Sequence, residues 1–214
     1  REAGMVGLGG AAFPTSVKLS PPKEFPVDTV ILNGAECEPY LTSDYRLMLE
    51  DPDSVIEALK IIKYVTKAKL GIIAIEDNKR DIFVIFHSKL KNYNDLDVAL
   101  LKTKYPQGGE KQLIYALLKR EVPSGGLPFN VGALVQNVGT ASKIYYAIKD
   151  GMPLISRIVS ITGEGLSETK NIDVPIGTKF SDVLNYCGGL NGSNYKVIMG
   201  RPMMGLVQSD LNVP

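Results

Sequence analysis

The sequence has little of what disulfide-linked, metal-binding or membrane-spanning proteins need. Its two cysteines, Cys37 and Cys187, lie far apart and form no Cys-x-x-Cys pair. This argues against a disulfide framework or a complete metal site and favours a reducing compartment. The single histidine, His87, lies in a predicted helix and is interpreted as a surface residue. No apolar run approaches the roughly 18 residues of a membrane span, and we expect no signal peptide.

An excess of charge of one sign is also missing. Lys and Arg number 24 and Asp and Glu 23, which gives a formal net charge of +1 with mixed signs along the chain. Without a basic face or a polybasic cluster, the sequence indicates neither nucleic acid nor lipid headgroups as a partner. If the protein acts at a membrane, we therefore expect partner proteins to hold it there. Because the chain starts at Arg1 without Met and stops at Pro214, we expect a longer parent polypeptide.

The composition is that of a soluble globular protein with one large and one small domain: 214 residues, 44% hydrophobic and 22% charged. Short apolar, β-branched runs alternate four times with helical patterns, which predicts an α/β domain with a mostly parallel, Rossmann-like sheet. Asp51 and Pro52 suit the start of the first covering helix. Its predicted buried face comprises Val55, Leu59, Ile62 and Val65. The predicted strands are 28–33, 69–76, 96–101 and 134–136.

The pattern changes near Pro153. Short strands at 154–162, 172–175 and 195–199, with one helix at 179–186, predict a small α+β unit of β-grasp type. We therefore expect a domain at 1–152 and a second at 153–214, the latter truncated at its C-terminus. Met203 and Met204 lie in a tight turn, and we expect them to fill the core rather than to form a partner surface.

A glycine-rich loop at 4–18 is the first candidate site. Four glycines within seven positions lack the Cβ atoms that keep a ligand from backbone amides, so a flat or anionic group can come close. Phe13 adds an aromatic face, and Thr15 and Lys18 add a hydroxyl and a cation. The spacing matches neither the dinucleotide G-x-G-x-x-G pattern nor the phosphate loop G-x-x-x-x-G-K-[ST]. Alone, the loop is as compatible with a tight turn as with a cofactor site.

Three of the predicted strands end in glycine and polar residues. The segments concerned are 33–40, 105–112 and 136–140. Because the carboxyl ends of parallel strands meet at one edge of a sheet, where ligands collect, these segments together predict a binding site. The Gly- and Pro-rich loop 121–129 is a candidate to close over it.

Several long motifs, in a fixed order, identify a resemblance to a known family. They are G-L-G-G-A-A-F-P-T-x-x-K at 7–18, N-G-A-E-C-E-P-Y at 33–40, Y-P-Q-G-G-E-K-Q at 105–112, V-P-S-G-G-L-P at 122–128, Q-N-V-G-T at 136–140 and G-R-P-M-M-G at 200–205. The sequence resembles the C subunit of the Rnf electron-transport complex, a ferredoxin:NAD+ oxidoreductase that translocates Na+ or H+. It is more distantly similar to the flavin-bearing 51-kDa subunit of respiratory complex I. Residues 153–214 resemble the soluble-ligand-binding β-grasp (SLBB) module.

The resemblance implies an oxidoreductase with non-covalent FMN that exchanges hydride with NAD(H), and no side chain acts as acid or base. The positions that match the family's FMN site are Gly7, Gly9, Gly10, Lys18, Asn33, Glu36, Gly109, Glu110, Asn137 and Thr140. For the nicotinamide nucleotide the resemblance implies stacking near Phe13 and Tyr105, and a ribose contact from Glu38. Lys111 stands where the complex I relatives carry glutamate, and we expect it to pair with the pyrophosphate. Ala35, Cys37 and Pro21 also depart from the complex I pattern.

The resemblance also implies partners. The parent protein would carry [4Fe-4S] clusters outside this stretch and would pass electrons to them. It would bind other Rnf subunits, including the iron–sulfur and membrane subunits, as a peripheral protein on the cytoplasmic face of the cell membrane. This fragment itself would hold no metal.

Three alternatives stay open at this point. A cobalamin reductase of diol-utilisation microcompartments has a similar flavin core. The chain could instead be a docking scaffold whose flavin pocket is vestigial. Finally, residues 153–214 alone could sense a soluble ligand, although the sequence offers no convergent charged pocket there.

Overall fold

The computed structural model describes residues 1–192 and 194–214. The strands are β1 (Thr29–Gly34), β2 (Leu70–Glu76), β3 (Leu96–Leu101), β4 (Ala133–Asn137), β5 (Ser156–Ile161), β6 (Lys170–Pro175), β7 (Val197–Met199) and β8 (Leu206–Gln208). The helices are α1 (Thr15–Lys18), α2 (Ser43–Glu50), α3 (Pro52–Thr66), α4 (Arg80–Leu90), α5 (Glu110–Leu118), α6 (Val138–Lys149) and α7 (Phe180–Tyr186). A 3-10 turn, Pro128–Val131, begins in the loop 121–129 and ends just after it.

The first four strands form one parallel sheet in the order β3-β2-β1-β4. β1 lies between two neighbours, so Thr29 is in register with both Leu70 of β2 and Ala133 of β4. Its apolar run is fully buried, as expected for a parallel strand covered on both faces. The prediction of an α/β fold with a parallel, Rossmann-like sheet is confirmed.

Two apolar clusters cover the two faces of this sheet. The larger one includes Leu59 of α3 and Phe86 of α4, and both side chains are fully buried. The smaller one packs Leu113 and Ile114 of α5 against Ile31 of β1. Apolar side chains therefore cover the sheet on both faces, while the carboxyl ends of β1 and β4 carry the polar residues Asn33 and Asn137. Among the described residues, no helix has the length and apolar character needed to cross a membrane.

Helix α3 begins where its capping residues predict. The Asp51 side chain accepts a hydrogen bond from Ser54 N, and Pro52 takes the first helical position. Leu59 and the neighbouring apolar residues of its inner face are buried, but Val65 is 51% exposed. The prediction for Val65 was wrong because the helix ends one residue later, at Thr66, where the chain turns away with Lys67 in a left-handed conformation.

Residues 153–214 contain two antiparallel strand pairs, β5-β6 and β7-β8, and helix α7. Met203 and Met204 lie in the turn between β7 and β8 and are 54% and 71% exposed. The expectation that these methionines fill the core is wrong. The two-stranded ribbon that carries the turn is too small to bury their side chains. The division at 152/153 stays a prediction.

We call residues 1–152 the first unit and residues 153–214 the second unit. The second unit contacts the first near the carboxyl ends of the strands of the parallel sheet. Ser160 Oγ accepts hydrogen bonds from the amides of Thr42 and Ser43, each at 3.1 Å, just before and at the start of α2. Leu154 N donates to Ala3 O at 2.9 Å. The second unit therefore lies beside the edge at which the sequence predicts the site.

Candidate functional site

The site lies where the direction of strand addition changes. The chain runs from β1 outward to β2 and β3 and then returns to place β4 on the other side of β1. In open parallel sheets a crevice forms at this point, outside the carboxyl ends of the two strands. Asn33 and Asn137, one near the end of each strand, are register partners there. Both residues were predicted from the sequence.

Asn33 ties the end of β1 to the segment before α5. Its Nδ2 donates to Gly108 O at 2.9 Å, and its Oδ1 accepts from Ala35 N at 3.1 Å. A Cβ at Gly108 would collide with Ala35 O, so only glycine allows this approach. Gly109, the N-cap residue of α5, follows directly and offers the helix no side-chain cap. The α5 amides are therefore available to an anion in the crevice.

Asn137 organises the other wall of the crevice. Its Oδ1 accepts from Thr140 N at 3.1 Å and caps α6, while its Nδ2 donates to Asp44 Oδ2 at 2.7 Å. Burial and then the Glu36 carboxylate raise the pKa of Asp44 to about 7, although the Asn137 hydrogen bond and the charges of Lys79 and Arg201 oppose the rise. Asp44 was not predicted from the sequence.

The glycine-rich loop lies over the start of α6. Val6 and Pro14 pair as a bridge, so the residues between them form a tight hairpin. Leu8 N donates to Thr140 Oγ1 at 2.8 Å. A Cβ at Gly9 would lie 3.3 Å from Cβ of Asn137, closer than most real contacts. Glycine at this position lets the loop backbone come close to the crevice.

The loop returns to the opposite wall through Lys18. Lys18 Nζ lies 2.9 Å from Glu110 Oε1, which joins α1 to the first residue of α5. These contacts form a closed path. The loop contacts Asn137, whose strand pairs with that of Asn33. Asn33 bonds the segment before α5, and the start of α5 bonds the loop again through Lys18. We call this closed set the strand-end ring; its members are Gly9, Lys18, Asn33, Gly108, Glu110 and Asn137.

Glu36 lies beside the ring but is engaged with protein groups. Its carboxylate accepts from Asp44 N at 3.0 Å and Tyr45 N at 3.3 Å at the start of α2, and Lys79 Nζ lies 3.4 Å away. Its side chain is only 4% exposed. The sequence prediction missed α2 and Lys79. The run Thr42-Ser43-Asp44, a typical helix start, was the available signal for α2.

Glu38 is covered by the second unit. Its Oε2 accepts from Met203 N at 3.1 Å, its Oε1 lies 3.9 Å from Arg201 Nη1, and its side chain is 1% exposed. Oε1 has no hydrogen-bond partner among the described residues. An unpaired buried carboxylate oxygen is costly, so a ligand hydroxyl or a closer cation would be stabilising here.

The remaining residues predicted for the nucleotide lie at the surface. Phe13 and Tyr105 are 49% and 43% exposed, and Tyr105 precedes a cis bond to Pro106. Lys111 is exposed, and its Nζ donates to Pro123 O at 3.1 Å. Lys111 therefore connects α5 to the loop 121–129.

The residues present fit a flavin mononucleotide. Gly9 and Gly108 let the backbone pack closely against Asn137 and Ala35 at the rim of the crevice, the α5 N-terminus is uncapped, and Asn33 and Asn137 contribute neutral hydrogen-bonding groups. The profile of the Nuo51 FMN-binding domain family matches residues 1–146. The chain belongs to that family. The SLBB domain profile matches residues 158–207 of the same chain.

Named relatives of this Nuo51-type chain agree with the resemblance. It is 51% identical to the C subunit of the proton-translocating ferredoxin:NAD+ oxidoreductase complex of Clostridium ljungdahlii, over 100% of this chain and 47% of the relative. It is 46% identical to the Na+-translocating counterpart of Acetobacterium woodii, over 100% of this chain and 48% of the relative. The C subunit of an ion-translocating oxidoreductase complex of Haemophilus influenzae is 43% identical, over 100% of this chain and 32% of the relative. The chain thus spans less than half the length of these relatives. Their identities over the whole of this chain confirm the predicted similarity to the Rnf C subunit.

Solved structures share the fold. Two crystal structures of NAD+-reducing [NiFe]-hydrogenase, H2-reduced and air-oxidized, match this Nuo51-type chain with TM-scores of 0.78 and 0.72. Sequence identities are 20% and 21%, and the matches cover 91% of this chain and 39% and 38% of the hydrogenase chains. At such identities the likeness shows the fold alone.

Proposed function

We propose that this chain is the FMN- and NAD(H)-binding part of the C subunit of an Rnf-type, ion-translocating ferredoxin:NAD+ oxidoreductase. The observation that carries the proposal is the strand-end ring, which closes around the crevice between β1 and β4. The relatives named above favour this proposal over a cobalamin reductase and over a docking scaffold.

In this proposal the ring and its neighbours hold FMN. Loop amides at Gly7, Gly9 and Gly10, the α5 amides after Gly109 and the Lys18 ammonium meet its phosphate or the electron-rich edge of its ring. Asn33, Asn137 and Thr140 orient it through neutral hydrogen bonds. FMN, when bound, supplies hydride exchange with nicotinamide. Glu36 and Glu110 act through the groups they hold, the α2 start with Lys79 and Lys18 respectively.

The nucleotide binds at the outer side of the ring. Phe13 and Tyr105 are exposed aromatic faces suited to stacking. Glu38 accepts a ribose hydroxyl once the β7–β8 turn that covers it moves aside, and Lys111 binds the pyrophosphate as a point charge. Because the chain needs only to bind and orient the two partners, its contribution to rate comes from their distance and alignment.

The proposed electron acceptors and partner subunits are those of the longer parent protein. The clusters that receive the electrons, of [4Fe-4S] type, lie outside this stretch, and other Rnf subunits bind around it. The parent protein is peripheral, at the cytoplasmic face of the membrane.

A flavin titration tests the proposal. FMN is added to the purified protein, free flavin is removed by gel filtration, and the visible flavin absorbance is recorded before and after anaerobic NADH. We expect yellow colour to co-elute with the protein and to bleach with NADH. Protein that stays colourless under all conditions would overturn the proposal and favour the scaffold.

A matched pair of variants locates the site. Asn33→Leu keeps the approximate size of the side chain but removes its hydrogen bonds to Gly108 O and Ala35 N, so FMN retention should fall about tenfold or more. Asn94→Leu, at an exposed turn before β3, is the control and should retain FMN like the wild type. Equal retention in both variants would contradict a site at the ring.

A further inference from the structure

Two arginines of the second unit reach into the glycine-rich loop. Arg157 Nη2, on β5, donates to Leu8 O at 3.1 Å. Arg201 Nη2, at the start of the β7–β8 turn, donates to Gly9 O. The two guanidinium groups therefore hold two successive backbone carbonyls of the loop. Both arginines lie outside the residues matched by the Nuo51 family profile.

Peptide geometry turns this contact into a constraint on the amides. A trans peptide unit is planar, with its carbonyl and its N–H pointing in opposite directions. The carbonyl of Leu8 shares its peptide unit with the N–H of Gly9, and the carbonyl of Gly9 shares its unit with the N–H of Gly10. The cis bond among the described residues is Tyr105–Pro106, so both loop units are trans. Arginines that hold these carbonyls toward the second unit aim the two amides away from it.

The two amides are available to a ligand. Within residues 1–192 and 194–214, neither Gly9 N nor Gly10 N donates a hydrogen bond to a protein group. Leu8 N, just before them, donates to Thr140 Oγ1 at the start of α6, and Gly9 lies against Asn137. Successive free amides beside a crevice form a concave donor site for an anion or an electron-rich ring edge.

From this geometry we propose that Arg157 and Arg201 are positioning residues for FMN: they fix the Gly9 and Gly10 amides in the orientation that binds the cofactor. This inference rests on the proposed function, because it takes FMN as the ligand of the loop. It gives the second unit a role in cofactor binding by the first, exerted through the loop backbone.

The physical reason for needing such a clamp is the glycine content of the loop. A glycine loses more conformational freedom on ordering than any other residue, so ordering a glycine-rich loop consumes part of the binding free energy. A loop already fixed by two charge-assisted hydrogen bonds orders less when the ligand arrives, so more of the binding free energy is retained. Arginine suits the role since its planar fork stays charged and directional.

The test compares flavin dissociation constants for the wild type, Arg157→Ala and Arg201→Ala. We expect each substitution to weaken FMN binding about tenfold, as for the loss of a hydrogen bond from a charged donor. Arg157→Lys should recover part of the affinity because it can still donate one hydrogen bond. Lys143→Ala is the control: it removes a cation that links α6 to Ser156 and Asp173 of the second unit without touching the loop, and FMN affinity should stay unchanged.

Riboflavin separates a positioning role from general loss of structure. If the amides face the phosphate, the arginine variants lose affinity for FMN but not for riboflavin; if they face the ring, both affinities fall while the melting temperature of the ligand-free protein stays near that of Lys143→Ala. Either result supports the proposal. Wild-type FMN affinity in both arginine variants, or an equal loss in the control, would overturn it. A wild-type protein that binds no FMN would instead overturn the proposed function.

Discussion

Lys18 and Glu110 form an ion pair of 2.9 Å that joins the glycine-rich loop to the first residue of α5. Both residues were predicted for the FMN site, and the pair closes the strand-end ring. Their side chains are 29% and 39% exposed, so the pair itself adds little to stability. Its value lies in holding a cation beside the uncapped start of α5.

Lys18→Ala should therefore affect binding far more than folding. We expect FMN affinity to fall about tenfold or more, because the ammonium is a charged donor to the ligand. The free energy of unfolding should fall by less than about 1 kcal/mol. Flavin titration and urea unfolding measure the two effects. Lys89→Ala, which breaks a surface pair with Asp53, is the control; a similar affinity loss there would refute the assignment.

Glu38→Gln tests the nucleotide contact. Glutamine keeps an acceptor for Met203 N but loses the charge that strengthens a hydrogen bond from a ribose hydroxyl. We expect KM for NADH to rise about tenfold while FMN affinity stays constant. Steady-state kinetics with an artificial electron acceptor measure KM. An unaltered KM, with FMN bound, would exclude Glu38 from the nucleotide site.

Lys111→Ala tests the expected pyrophosphate contact. Loss of the cation should raise KM for NADH and leave kcat little changed, since the pyrophosphate does not react. Lys119→Ala is a suitable control because Lys119, just after the same helix, directs its Nζ to Ala116 O and the Tyr115 ring rather than to the loop 121–129. If the two variants have the same KM as the wild type, Lys111 serves only to hold Pro123 O.

Asp44 should make stability depend on pH. Its pKa is 3.8 when unfolded and about 7 when folded, so the folded state keeps a proton that the unfolded state releases between these values. Stability from Asp44 is thus present below about pH 4 and is lost as the pH rises to about 7. Asp44→Asn removes this loss, and its melting temperature should exceed that of the wild type by a few degrees at about pH 8 but not at about pH 4.

Asp95 provides the matched control for this prediction. The hydrogen bond from Lys63 lowers the pKa of Asp95, so its ionised form favours folding at neutral pH. Asp95→Asn should therefore not raise the melting temperature at about pH 8. Calorimetry measures the melting temperatures of the wild type and both variants across this pH range. A melting temperature of Asp44→Asn at or below that of the wild type at the higher pH would contradict the effect assigned to Asp44.

The sequence predicted the sheet well because its signals are local. β3 was predicted at its observed bounds, and the ends of β1 and β2 within one residue. Short runs rich in apolar and β-branched residues between turn signals favour a parallel strand. Asn33 and Asn137 could be placed at the site since both follow such runs.

Contacts that join distant parts of the chain were harder to predict. The Asp44 carboxylate is defined by Asn137 and Glu36, and no local pattern links these residues. Likewise, Arg201 meets Gly9 only after the second unit has docked beside the loop. Met203 and Met204 show the same difficulty, since a hydrophobic residue in a two-stranded ribbon has no periodic signal that tells inside from outside.

The position of β1 also has a consequence for biosynthesis. β1 is made early but pairs with β4, which emerges about a hundred residues later, and Asn137 ends that last strand. A ribosome-bound chain that has not yet released residue 137 thus lacks one wall of the crevice. If the crevice binds FMN as proposed, we expect the cofactor to enter only after residue 137 has left the ribosome, when both walls can form.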